Sequence, residues 1–170
     1  MRQYFKYFSS FSIISLADKV VLSLSNSNVQ PDNGFGNEYK WQSLTQGFKQ
    51  AKHLKKPIFL VVHKLTCPAC IELKDKFSKS IKLIELSRCF VMINIENDSE
   101  LIKSINYSPD GTYVPRVLFF TPEGKLILNA YNRHQDADEE HKYFYSSPSQ
   151  IIKVMQQVID NDGRNPLPEI

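Results

Sequence analysis

The sequence predicts an α/β domain in which a central mixed sheet is flanked by helices, and three observations carry that prediction. Apolar runs of strand length at residues 58–62 and 90–95 enclose a stretch of helical periodicity, the pattern of a β-α-β unit and therefore of two parallel strands. A further run at 116–120, the turn Thr121-Pro122-Glu123-Gly124 and the segment 125–128 read as a hairpin, which adds antiparallel pairing. Beyond them Ile151, Ile152, Met155, Val158 and Ile159 mark a C-terminal amphipathic helix.

In chain order, Arg2 and Lys6 precede an apolar stretch over 8–16, and Ser15 and Ala17 supply small residues for cleavage before Asp18, so 1–17 reads as a secretory signal peptide. Ser9, Ser10, Ser12 and Ser15 dilute the stretch, and an ordinary helix continuing to Leu24 is the alternative. Residues 18–36, rich in Ser, Asn, Pro and Gly and without apolar period, read as a linker. The folded domain is expected over 37–160, followed by a tail at 161–170. Within it Trp41, Leu44, Phe48 and Ala51 have the spacing of a helix that Lys55-Lys56-Pro57 ends. The run at 58–62 has the composition of a central strand buried on both faces. After Cys67 the stripe Ile71, Leu73, Phe77, Ile81, Ile84 is helical. A short helix is expected around 101–105, then a turn at Ser108-Pro109-Asp110-Gly111. A polar insertion over 129–147 joins an acidic run at 136–140 to Tyr143, Phe144 and Tyr145.

Composition excludes several classes of function. The 170 residues suffice for one domain with its own core, and a formal charge of +3 spread along the chain gives no nucleic-acid footprint. Apart from the N-terminal stretch, no segment approaches the ~20 apolar residues that span a bilayer. Three cysteines, Cys67, Cys70 and Cys89, rule out a multi-disulfide framework and leave a two-cysteine redox or metal motif with one further thiol. Asn97-Asp98-Ser99 and Asn106-Tyr107-Ser108 match the glycosylation sequon, which bears on the protein only in the secretory pathway. Leu167-Pro168-Glu169-Ile170 is not a retention signal of the Lys-Asp-Glu-Leu type, so retention in the endoplasmic reticulum would need another cause.

Cys67-Pro68-Ala69-Cys70 stands at the first strand-to-helix junction. The thiolate is the attacking species in disulfide exchange, and a helix N-terminus favours negative charge through its unpaired N–H groups and macrodipole. Cys70, about one turn further on, faces the same side and can attack the Cys67 sulfur to resolve a mixed disulfide. Pro68 suits the first turn, where no N–H is missed. The competing reading is half of a zinc site, which needs two more ligands; Cys89 is solitary, and His53, His63, His134 and His141 lack paired ligand spacing. Cys89 reads as a small buried hydrophobe. Val114-Pro115 precedes a strand, and sequence alone leaves its peptide bond cis or trans, with trans the commoner.

The α-β-α-β-α-β-β-α order with Cys-x-x-Cys at that junction is the thioredoxin arrangement. More narrowly, His63-Lys64, the segment 90–94, Ser108-Pro109-Asp110-Gly111-Thr112-Tyr113-Val114-Pro115-Arg116 and Lys142-Tyr143-Phe144-Tyr145 resemble the group formed by thioredoxin domain-containing protein 12 and the anterior gradient proteins, over about 35–159. The resemblance implies a thioredoxin fold, protein disulfide oxidoreductase activity, a nucleophilic Cys67, a resolving Cys70 and a cis Pro115 lining a substrate groove with Val114, Pro68 and Ala69. It also implies residence in the endoplasmic reticulum lumen or secretion, whereas an uncleaved N-terminus would leave the protein in the cytoplasm. The expected partners are proteins or peptides bearing disulfides or thiols, with glutathione as a candidate electron source, and no nucleic acid, membrane span, cofactor or metal. A client-binding module with little turnover is the alternative. The group's usual retention signal is absent, and Pro68 replaces a glycine. Many thioredoxins carry a buried acid six residues before the first cysteine and a lysine on the facing strand; here those positions are read as Val61 and Met92. Cys70 is therefore expected to lack an internal base and to release substrate slowly.

Overall fold

A computed structural model of the protein describes residues 31–97 and 105–162. Its sheet has three strands, β1 (Ile58–His63), β2 (Val91–Glu96) and β3 (Arg116–Phe120), in the order β2-β1-β3. β1 runs parallel to β2, with Ile58 opposite Val91 and His63 opposite Glu96, and antiparallel to β3. Every residue of β1 is buried, as a central strand covered on both faces requires. Phe59 and Val61 join one core cluster; Ile58, Leu60 and Val62 join the other.

Helix α1 (Leu44–Leu54) covers the second face, its Ala51 buried against Ile58 and Leu60. The Ser43 side chain caps it by accepting the Gln46 N–H at 3.4 Å. Helices α2 (Pro68–Ser78), α3 (Ile81–Ser87) and α4 (Pro148–Asp162) supply Leu73, Phe77, Leu83, Leu86, Val154 and Met155 to the first face. Among the described residues no helix is long and apolar enough to cross a membrane.

Three expectations are corrected. The stripe after Cys67 is two helices rather than one: the Ser80 hydroxyl accepts the Leu83 N–H at 3.4 Å and starts α3 afresh, leaving Ile81 at 74% exposure. Residues 125–128 form only a bridge between Phe120 and Leu126, because Ala130 N–H turns back to Ile127 O and the insertion returns to take the rest of β3's free edge, bridging Arg116 to Phe144. The last part of the expected linker, 31–36, belongs to the core. Phe35 is fully buried, with its ring 5.3 Å from Phe77 and 5.2 Å from His63, and Asn33 donates to the Asn94 side chain at 2.7 Å. Gly36, at φ 100°, turns this segment into a 3₁₀ turn at Asn37–Tyr39. Trp41 precedes α1, its indole donating to Gly36 O at 2.7 Å. The expected signal peptide, the rest of the linker, most of the 101–105 helix and most of the tail lie outside the described residues.

Candidate active site

β1 delivers the chain to a short loop at 64–66, and α2 begins at Pro68 with Cys67 as its N-cap in extended conformation (φ −80°, ψ 122°). Proline at the first helical position fits because its missing N–H would have no partner there. Ile71 N–H donates to Cys67 O at 3.0 Å, so the first turn closes on the cysteine itself. The two thiols then differ sharply in setting. Cys67 is partly exposed, while Cys70 is fully buried. Burial, reinforced by Cys67, pushes the Cys70 thiol up to about 12, against opposing effects of the Lys64 N–H, donated to its sulfur at 3.5 Å, and of the Lys74 charge. An accessible sulfur at a helix N-terminus therefore stands above one held protonated.

The second half of the site comes from 47 residues further along the chain. The Cys67 thiol donates to Val114 O at 3.7 Å, and the Val114–Pro115 peptide bond is cis. Pro115 is buried, Val114 and Ala69 are half-buried, and Pro68 is exposed. Leu65 and Ile71 flank the cysteines at 50% and 54% exposure. The Cys67–Val114 contact thus brings the cysteine turn and the Val114–Pro115 loop together.

Sequence reasoning missed the group that fixes this loop. Arg116 is completely buried, its Nε donating to Tyr107 O at 2.6 Å, Nη1 to Tyr113 O at 2.6 Å, and Nη2 to Ser108 Oγ at 3.0 Å and Asn97 Oδ1 at 3.2 Å. Tyr113 in turn donates its hydroxyl to the Asp110 carboxylate at 2.7 Å and accepts Tyr143 N–H at 3.0 Å, joining the loop to the insertion. Burial and the neighbouring carboxylate push the Tyr113 phenol up, so it stays a donor.

A further correction concerns the partner of Val61. The register puts Asn94 opposite Val61, and Met92 opposite Phe59. Met92 is nevertheless buried in the same cluster as Val61, and among the described residues no carboxylate is one of the groups acting on Cys70. Among the described residues no three His, Cys, Asp or Glu side chains are grouped to hold a metal ion. A cavity of about 610 Å³ lined by Tyr39, Gln42, Lys56, Arg88 and Met92 lies at the opposite end of β1 and β2, away from both cysteines.

Residues 40–122 match a family model described as thioredoxin-like. Anterior gradient protein 3 of Mus musculus is 28% identical over 129 residues, covering 73% of this chain and 76% of its own. Anterior gradient protein 2-B of Xenopus laevis is 30% identical over 120 residues, covering 65% and 70%. The chain belongs to the anterior gradient group of the thioredoxin superfamily. At the level of fold, the solved structure of a DsbH oxidoreductase superposes with a TM-score of 0.50 at 14% identity, over 94% of this chain and 96% of that one. The mixed sheet with helices on both faces is accordingly the thioredoxin fold of this anterior gradient relative.

Proposed function

We propose that this chain is a thiol–disulfide oxidoreductase acting on disulfides of proteins or peptides, with Cys67 as nucleophile and Cys70 as resolving thiol. One observation carries the reading: a partly exposed sulfur at the N-cap of α2 lies 3.7 Å from the Val114 carbonyl, with a second, buried sulfur one helical turn behind it. The Cys67 thiolate attacks one sulfur of the substrate disulfide; that S–S bond breaks, and the departing sulfur takes a proton from solvent. Cys70 gives up its proton and attacks the Cys67 sulfur, the mixed disulfide breaks, and the second substrate thiol leaves. Two electrons have passed from the cysteine pair to the substrate, and a small thiol of the glutathione type can return them. An extended substrate segment would lie along Val114, Pro115, Pro68 and Ala69. The work would be done in the endoplasmic reticulum lumen or outside the cell, or in the cytoplasm if the N-terminus is retained. Because Cys70 is held protonated and, among the described residues, no carboxylate acts on it, the second step is expected to limit turnover at neutral pH.

The exposed Leu65 and Ile71 favour a second reading, a client-binding module with little turnover. Trapping separates the two. The Cys70→Ser protein is expected to accumulate mixed disulfides through Cys67 with a disulfide-bearing peptide, and Cys67→Ser none, as read by mass spectrometry without reductant. Peptide binding with no conjugate in Cys70→Ser would leave only the second reading.

A further inference from the structure

Disulfide exchange by the two sulfurs calls on no other side chain, yet Lys74 and His63 are buried in the same part of the fold. Lys74 follows Cys70 by one turn of α2 and is only 7% exposed. Its Nζ lies 5.3 Å from the centre of the Phe35 ring, and its stem runs so close to Gly34 that a Cβ there would stand 3.4 Å from Cδ. The Phe35 and His63 rings meet in a T-shaped contact, and His63 is fully buried, with the Asn94 side chain beside it. Segment 31–36 packs over these groups, tied down by Asn33 and by the Asn94 amide, which donates to Pro31 O at 3.0 Å.

A buried ammonium is costly unless an opposite charge offsets it. Among the described residues Lys74 has no carboxylate at ion-pair distance; burial lowers its pKa, and the groups that oppose this and favour its charge are, in order, Cys70, Glu96, Cys67 and Asp32. Glu96 is exposed and Asp32 half-buried, so solvent weakens both. His63 adds no opposing cation, since burial and Lys74 itself drive it down to about 4 and keep it neutral. The charge that can answer Lys74 from inside the fold is a cysteine thiolate.

We propose that Lys74 is a positioning residue that stabilises the thiolate of the reduced Cys67–Cys70 pair and so makes the pair a stronger oxidant than the same motif without it. This rests on the oxidoreductase reading and deepens it. Closing the disulfide from the thiolate–thiol pair removes one proton and two electrons and leaves no anion for Lys74; opening it by two electrons and one proton restores the thiolate. The lysine therefore favours the reduced form, and an oxidant whose reduced form is stabilised has the higher potential.

The test is the thiol–disulfide equilibrium of the intact protein against glutathione buffers, for wild type, Lys74→Met and Lys74→Arg. Methionine fills the place beside Phe35 without charge; arginine keeps the charge. Lys74→Met is expected to shift the equilibrium about tenfold toward the disulfide, equivalent to roughly 30 mV lower potential, with Lys74→Arg restoring most of the wild-type value. The ultraviolet thiolate absorbance of the reduced protein should rise at higher pH in Lys74→Met and not in Lys74→Arg. Should the methionine variant not fold, Lys74→Gln carries the same comparison. A folded uncharged variant with wild-type equilibrium and thiolate titration would overturn the inference and leave the oxidoreductase reading standing. A wild-type protein that forms no Cys67–Cys70 disulfide would overturn both.

Discussion

Replacing Arg116 with methionine is expected to lower unfolding stability by about 3–5 kcal/mol, a fall in Tm of roughly 10 °C or more. The guanidinium is wholly buried and satisfies two main-chain carbonyls, Tyr107 O and Tyr113 O, together with Ser108 Oγ and Asn97 Oδ1. Truncation takes the guanidinium donors from those part-buried carbonyls, and a group left unsatisfied away from water costs about 1–3 kcal/mol. Tyr113 immediately precedes Val114, whose carbonyl meets the Cys67 thiol, so the same substitution loosens the surface where substrate would lie. Under conditions where both proteins are folded, peptide disulfide exchange should therefore fall by about tenfold or more. Arg116→Lys should recover only part of either loss, since an ammonium cannot reach all four acceptors of the planar fork. Thermal unfolding followed with exchange rates checks this; an Arg116→Met protein as stable as wild type would contradict the role given to the arginine.

The second large effect is a pH dependence of stability. In the folded chain burial first, and the Lys74 charge second, lower His63 from its ordinary value to about 4. The unfolded chain takes up this proton near pH 6.5, so as pH falls the unfolded state is protonated first and gains. Stability attributable to His63 is complete above about pH 6.5 and is lost progressively down to about pH 4, in total about 3 kcal/mol. His63→Leu removes the group, and urea unfolding at several pH values should show the difference between the two proteins changing by about 3 kcal/mol across that window. Parallel curves would mean that His63 is protonated as easily in the fold as outside it.

What could be read from the sequence follows from how each residue is buried. β1 and β2 were legible because strands covered on both faces are nearly continuous apolar runs: residues 58–62 are one, and 90–95 another interrupted only by Asn94. The break at Ser78-Lys79-Ser80 was not, since apolar spacing carries on through it and only the Ser80 cap reveals the restart. Phe35 was hidden by its company: one aromatic among Ser, Asn and Gly has no period, and its burial depends on the Asn33–Asn94 bond across the fold. At the site, the cysteine spacing and the proline before β3 were visible because their chemistry is local. Arg116, Lys74 and His63 look in sequence like charges and a histidine at the ends of elements. Their burial is a tertiary fact, created by the 31–36 segment and the 107–113 loop closing over them. The misplacement of Met92 was one of register: the partner of Val61 lies two residues further along β2.

Pairwise exchange of Cys67 and Cys70 is the property on which the proposed function depends most directly. Wild-type protein equilibrated in glutathione buffers, quenched with acid and mapped by mass spectrometry, should lose two hydrogens in the peptide carrying both cysteines, with Cys89 remaining a free thiol. Glutathione held on Cys67 while Cys70 stays reduced at every buffer ratio would contradict it.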